Sequence, residues 1–490
     1  MKLLILGIDG GTRRILEAYD MPFTHALFEG ASEIKTTDED LFSRGWAEMV
    51  TGEHASKTRG FYMGPLMDGT HSFSIKYKTK EAETVGYPPI WKIAEAAGDG
   101  VGIMNIPTTS PVQEVNGFMI GSGGGGMNKV AGIPDSLVYP PEAKRVLEEL
   151  NYIVDIRLTT SGIDDITTLF EKLGLKERLR AKAYVKLAKQ HGINFGFLVD
   201  RATTIVQYLC MSEIETRILK HSMGDQFTNS NTGTDEIHEL LESFYKSMDE
   251  NIKYIFEELK PKNWILTADH STVPYKFKGN MSPFLEKHGL LKRRSGSSPL
   301  KVVKKTLFKL FPNKLLSKVR ESVPSQMVNL AHDTDWAKSK AFGHNYISGI
   351  YVNDERFKGP VASSEVDSLV DEICQKFNDE EFSKEYSVTA KPYRREFAGT
   401  KYVDHLPDVI LEKPDEMHIV GHGETIRNNP NYGPIPALSE VKEDMFTGQK
   451  GRKPVFMISP GLDQFVQQDD RKDLTLVYKI AERLYGGGAE

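Results

Sequence analysis

The stretch Lys2-Leu3-Leu4-Ile5-Leu6-Gly7-Ile8-Asp9-Gly10-Gly11 decides the fold. Residues 2–8 are almost wholly apolar and then stop at an acid inside a glycine turn. That pattern predicts a short strand buried on both faces, with Asp9 at its carboxyl end, where open α/β sheets place their chemistry. Further apolar runs bounded by polar loops occur at Val101–Asn105, Asn194–Asp200, Asn263–Asp269, Gly349–Asn353, Asp408–Leu411 and Pro454–Ser459. Helical patterns lie between them at Pro89–Ala97, Pro141–Leu150, Asp235–Leu259, Ser363–Asn378 and Asp473–Tyr485. Strands that alternate with helices predict a mostly parallel sheet with helices on both faces. Four of the runs end in Asn105, Asp200, Asp269 and Asn353, a recurrence beyond what solvation of strand ends requires.

Composition narrows the function. The chain has 490 residues, 39% hydrophobic, enough for a full-size core without disulfide support. Its two cysteines, Cys210 and Cys374, are far apart and form no CxxC pair, which argues against a thiolate zinc site and suits a reducing cytoplasm. A net charge of −6 gives no general attraction to polymeric nucleic acid. The apolar run at the N-terminus is too short for a signal peptide, and no run of about 18 apolar residues occurs. The expected location is the cytoplasm.

Two stretches break the alternation. Residues 151–191 are helical and polar, and residues 292–320 carry ten Lys/Arg and no acid. We read a core in three parts, 1–150, 192–290 and 334–490. A helical cap insertion at 151–191 and a basic helical cap or lid at 291–333 interrupt it. The basic stretch could close over a phosphorylated substrate or make a peripheral contact with an anionic membrane. The glycine run Gly121–Gly126 lacks the following Lys-Ser/Thr of a phosphate-binding P-loop.

The most pointed pair is Asp269-His270, delivered into a loop by Trp264-Ile265-Leu266-Thr267-Ala268. A carboxylate and an imidazole within reach of one point suit zinc or manganese. Alone, such a pair is more often a capped turn; together with Asp9 it makes a candidate metal set.

These residues, with Thr51-Gly52, resemble the alkaline-phosphatase superfamily, in its type I phosphodiesterase, nucleotide pyrophosphatase and phosphomutase-like branch. Other blocks fall in the same order: Pro89-Ile90-Trp91, Met104–Thr108, Val115–Gly123, Tyr245…Met248-Asp249, Asn280–Leu285, Thr334–Phe342, Gly349–Asn353, Leu406–Ile410 and Thr447-Gly448. The resemblance implies an alkaline-phosphatase-like α/β core and a Ser or Thr nucleophile at a helix N-terminus. A gapless match puts Phe42 at that position, so the hydroxyl falls to Ser43, with Thr36 and Thr37 in reserve. The plainer role of Ser43 is to cap the helix. The formylglycine pattern of sulfatases is absent.

The family's first metal takes counterparts of Asp9, the nucleophile Ser43, Asp269 and His270. Its second takes an Asp-x-x-x-His pair and a late His. Here Asp200 is followed by Thr204 in place of the first His, and Lys450 replaces the second. The resemblance therefore implies one divalent metal per chain, with Asp200 a weak further ligand. Lys450 and Arg201 would supply positive charge to the phosphoryl oxygens. His344 or His422 could instead bring a ligand from a shifted loop. The expected activity is metal-dependent hydrolysis or transfer of a phosphoester or phosphodiester in a small phosphorylated substrate. The alternative is a catalytically reduced member that only binds a phospho-ligand or a membrane surface.

Overall fold

All six residues of strand β1, Leu3–Ile8, are buried. Leu4, Leu6 and Ile8 join one apolar cluster and Leu3 and Ile5 another, so successive side chains of one strand feed the cores on opposite faces of a sheet. The computed structural model describes residues 1–36, 42–73, 79, 86–122, 132–156, 165–224, 234–294, 334–344, 347–420, 423–437, 439, 441 and 445–486. They form two compact units, one of Met1–Tyr62, Tyr77–Lys276 and Asn429–Glu490, the other of Met63–Lys76 and Phe277–Asn428.

The first unit is built on an eight-stranded sheet. Besides β1 it contains β2 (Ser32–Glu33), β3 (Val101–Met104), β4 (Gly117–Ile120), β5 (Val138–Tyr139), β6 (Phe195–Asp200), β7 (Asn263–Thr267) and β17 (Phe456–Ile458), in the order β2-β17-β7-β1-β6-β3-β4-β5. The central five, β7-β1-β6-β3-β4, are parallel, and the flanking strands β17 and β5 pair antiparallel. The register sets Ile8 opposite Asp200 and Gly7 opposite Thr267, so β1, β6 and β7 all end at the same level. Beyond β7 the chain returns as β8 (Ser271–Pro274), which pairs antiparallel with β16 (Gly448–Gly451).

Helices cover both faces. Asp235–Leu259 has the bounds its apolar spacing predicts and buries Ile237, Leu241, Phe244, Tyr245, Met248, Ile252 and Ile255. Ile166–His191 packs along it and against β3, β4 and β6, contributing Ile166, Leu169, Phe170 and Leu173 to the core. This differs from the cap expected at 151–191. Its few leucines are a sheet-facing stripe on a helix whose remaining surface is polar. Ala202–Met223, which the sequence reading did not isolate, is likewise a core helix.

The second unit has its own four-stranded antiparallel sheet, with β10 (Ala341–Gly343), β11 (Gly349–Val352), β12 (Thr389–Pro392) and β13 (Val409–Glu412) in the order β10-β11-β13-β12. The runs at 349–353 and 408–411 therefore belong to this sheet and not to a continuous core over 334–490. A four-residue apolar run carries no mark of which sheet it joins. A smaller sheet, order β14-β9-β15, joins β9 (Phe277–Gly279), β14 (Met417–Ile419) and β15 (Ile426–Asn428). The proposed lid residues 295–333 lie outside the described residues, as does most of the glycine run. No described helix is long and apolar enough to cross a membrane.

Tyr245 and Asp249, two of the resemblance-bearing residues, hold this fold. Tyr245 stacks on Tyr19 with ring centroids 4.1 Å apart. The buried Asp249 carboxylate accepts from the N–H groups of Phe23 (3.1 Å) and Thr24 (2.7 Å) and from the Thr24 hydroxyl (2.7 Å), at the start of the helix Pro22–Glu29. An anion there meets the positive end of the helix and satisfies donors that nothing else in the helix can reach. Asp249→Ala should therefore cost about 2 kcal/mol of unfolding free energy, measured by urea denaturation, with metal content unchanged.

Candidate metal centre

The parallel register carries Asp9 and Asp269 the same two residues past the Gly7–Thr267 pair, so both carboxylates leave the sheet side by side. His270 follows at once. One ligand atom from each of Asp9, Asp269 and His270 lies within 4.8 Å of the others, and all three residues are buried. Among the described residues this is the one such cluster.

The turns are shaped for the approach. Gly10 has φ +76°, and a Cβ there would stand 2.6 Å from the Thr272 hydroxyl, which donates to the Gly10 carbonyl at 3.0 Å. Gly45 opens the helix Gly45–Thr51, and a Cβ there would stand 2.3 Å from the Asp269 carbonyl oxygen. Only glycine lets that helix start lie directly on the Asp269 backbone.

Partners orient each ligand. His270 Nδ1 bonds the Ser271 carbonyl at 2.7 Å, which leaves Nε2 facing Asp9 Oδ1 at 3.5 Å and Asp269 Oδ2 at 3.6 Å. Burial, with Lys450 as a further cause, holds the imidazole pKa below its ordinary value against the pull of Asp269 and Asp9, and so keeps the ring in its neutral, ligating form. Asp9 Oδ1 accepts from the Thr204 hydroxyl, its Oδ2 faces Arg201 Nε at 3.4 Å, and its carbonyl accepts from the Thr203 hydroxyl at 2.6 Å. Burial works to raise the Asp9 pKa. Arg201, then His270, Lys450 and the Thr204 bond outweigh it, and the carboxyl stays below its ordinary range. Asp269 Oδ2 accepts from the Tyr62 hydroxyl at 2.6 Å, while its Oδ1 is buried without a hydrogen-bond partner.

These residues fit a divalent cation. Bonds of about 2.1 Å in tetrahedral array space the ligand atoms about 3.4 Å apart, close to the spacings around His270 Nε2. An orphaned buried carboxylate oxygen is costly unless something positive meets it. Two carboxylates and an imidazole are the donor set expected of zinc or manganese.

Lys450 arrives from β16, opposite Thr272 of β8. Its ammonium lies 3.4 Å from the centroid of the Tyr62 ring, with no carboxylate at ion-pair distance among the described residues. Removal from water pushes its pKa down to about 8, with Arg44 and Arg201 adding to the effect and Asp269 and Asp9 opposing it. Arg201 is anchored differently, its Nη1 reaching Ser122 at 3.2 Å and Asp155 at 3.3 Å while Nε faces Asp9. Asp155 in turn faces the buried Lys176 at 3.6 Å.

The remaining expected residues are placed elsewhere. The Asp200 carboxylate accepts from Ala202 N–H at 2.8 Å and lines a small cavity with Glu177, Arg180 and Met248. It does not join the three-ligand cluster, because its side chain turns back over the helix start that follows it. Burial, then the nearby Glu177, raises its pKa to about 7. Asn105 and Asn353 also serve the fold, donating to the carbonyls of Val199 and of Trp336 and Ser339 respectively. Ser43 is buried and its Oγ accepts from Ala55 N–H at 3.0 Å. It is not the cap of Gly45–Thr51, which is Arg44, without a side-chain capping bond. Thr36 is half-buried, and Thr37 lies outside the described residues. His344 stacks on Phe73 in the second unit at 3.9 Å, and His422 lies outside the described residues. Tyr62 is the site residue that sequence reasoning missed. No motif marks it, and its nearest signal is that it closes the loop after Thr51-Gly52.

An α/β sheet whose central strands present two acids and a histidine at one end offers a candidate metal site. The chain belongs to the type I phosphodiesterase / nucleotide pyrophosphatase family, whose profile matches residues 3–432. It is thus an enzyme of phosphoric ester hydrolysis with an alkaline-phosphatase-like fold. Phosphonoacetate hydrolase from Sinorhizobium meliloti 1021, in complex with phosphonoformate, is similar in structure with a TM-score of 0.53 and 11% identity, over 99% of this chain and 96% of that one. Murine ectonucleotide pyrophosphatase/phosphodiesterase 5 in complex with AMP aligns with a TM-score of 0.46 and 13% identity, over 94% of this chain and 87% of that one. Comparison with the sequences of curated proteins finds no match.

Replacing Asp9 or Asp269 by Ala should abolish binding of zinc and manganese to chelator-stripped protein, with the far-ultraviolet circular dichroism retained. Isothermal titration showing undiminished affinity in Asp269→Ala would remove that residue from the ligand set.

Proposed function

We propose that the protein is a metal-dependent phosphoester or phosphodiester hydrolase that works through a serine nucleophile with one divalent cation per chain. The observation that carries this reading is the buried Asp9, Asp269 and His270 cluster with the orphaned Asp269 oxygen. Asp9, Asp269 and His270 would hold the cation, which when bound acts as a Lewis acid toward a phosphoryl oxygen and lowers the pKa of a nearby hydroxyl.

The chain's own groups divide the remaining work. The Ser43 hydroxyl attacks phosphorus, forming a P–O bond as the ester P–O bond opposite breaks and the alcohol leaves. Water then displaces Ser43 and restores it. Support for Ser43 is its place beside Arg44, whose N–H donates to the Gly60 carbonyl at 2.8 Å, in a short pairing that carries Tyr62 to Asp269. Lys450 meets the non-bridging oxygens, since among the described residues no carboxylate lies at ion-pair distance from its ammonium. Arg201 stays on Asp9 and Asp155 and balances the charge of the metal ligands. The hydroxyl of Thr204, where relatives carry a histidine, donates to Asp9 and so stands in for a metal contact. Small phosphorylated or phosphonate compounds suit a site that pairs a candidate cation set with the Lys450 ammonium, and the cytoplasm is the proposed location.

Ser43→Ala should remove nearly all turnover of p-nitrophenyl phosphate or bis(p-nitrophenyl) phosphate while leaving metal binding within a few-fold. Retained turnover would move the nucleophile to Thr36 or Thr37. Lys450→Ala should lower kcat roughly 100- to 1000-fold, the size of one lost oxyanion donor, with metal stoichiometry still one per chain by plasma emission spectroscopy. A stoichiometry of two would contradict the one-metal reading. A metal-loaded wild type without turnover of either ester would favour the phospho-ligand-binding alternative.

A further inference from the structure

Tyr62 touches both halves of the site. Its hydroxyl donates to Asp269 Oδ2 at 2.6 Å, and its ring carries the Lys450 ammonium 3.4 Å from the centroid. The Arg44 guanidinium carbon is 5.3 Å from the same centroid, and Arg44 Nε is buried without a hydrogen-bond partner. The Tyr62 backbone is held as well, its N–H donating to the Phe42 carbonyl at 3.2 Å, beside the Ser43–Phe61 bridge. We propose that Tyr62 is a positioning residue that keeps Asp269 oriented for the metal and keeps the Lys450 ammonium apart from it, available to the phosphoryl group. This inference rests on the proposed function.

The argument is one of competition. A flexible ammonium next to two carboxylates would ordinarily pair with one of them, and the paired carboxylate would then be a poorer metal ligand. The phenol counters this by engaging both groups at once. Its edge satisfies the carboxylate with a neutral donor, and its face holds the cation through the ring quadrupole, which engages positive charge without neutralising it. The donor takes only part of the capacity of Oδ2 and leaves Oδ1 open, so the carboxylate is fixed without being used up. A tyrosine that merely filled space would need neither contact.

The test separates the edge from the face. Chelator-stripped wild type, Tyr62→Phe and Tyr62→Leu are titrated with zinc and with manganese by calorimetry, and kcat is measured at saturating metal on the two nitrophenyl esters. Tyr62→Phe keeps the ring and loses the donor, so its metal affinity should fall about 10- to 100-fold, the effect of losing a partner of a metal ligand, with kcat within a few-fold of wild type. Tyr62→Leu should show the same loss of affinity and in addition a kcat near that of Lys450→Ala. Unchanged metal affinity in Tyr62→Phe, or near-normal kcat in metal-saturated Tyr62→Leu, overturns the inference. Should Tyr62→Leu fail to fold, the Tyr62→Phe titration decides alone. A wild type that binds neither metal defeats the proposed function itself, whereas a metal-binding wild type with an equally tight Tyr62→Phe defeats this inference only.

Discussion

Two carboxylates brought to one buried point repel each other, and the arrangement around Asp9 and Asp269 is built to contain that repulsion. Unit charges about 4 Å apart repel by about 4 kcal/mol where the effective dielectric is about 20, a large fraction of a domain's net stability. Arg201 against Asp9, the Thr204 and Tyr62 hydroxyls and the nearby Lys450 ammonium all work against it. The parallel register of β1 and β7 forces the proximity, and the surrounding donors make it tolerable. What the chain leaves unsatisfied, one oxygen of Asp269, is where a cation contributes most.

Much of this was legible beforehand because the signals were local. The buried strand at 2–8, the strand into Asp269-His270 and the helix Asp235–Leu259 each announce themselves through periodicity and a polar stop. The family blocks named Asp9, Asp269 and His270, which the fold brings together as a candidate metal set. What could not be read was three-dimensional partnership. Nothing in Asp200 distinguishes a carboxylate that faces the triad from one that turns back onto Ala202 N–H. Nothing in four apolar residues at 349–352 says that they enter a second sheet. The leucines of 166–191 look sparse in a polar segment, yet a helix that lies on a sheet needs only one such stripe.

Tyr62 shows the same limit from the other side. A tyrosine in a loop carries no pattern, and its role exists only through residues hundreds of positions away, Asp269 by hydrogen bond and Lys450 by its ring. Conversely, the departures at Thr204 and Lys450, visible as missing histidines, are coherent in space. One donates to Asp9, and the other brings positive charge to the same centre.

The antiparallel ribbon of β8 and β16 gives position 450 a further property. Its backbone is fixed by register, with Gly451 opposite Ser271 and Lys450 opposite Thr272, whatever side chain it carries. Position 450 is thus a socket independent of the sheet core, into which an imidazole, an ammonium or a neutral group could be plugged without reshaping the scaffold. A protein built this way can change the charge brought to the site at position 450 by a single residue while the architecture that supports it stays still.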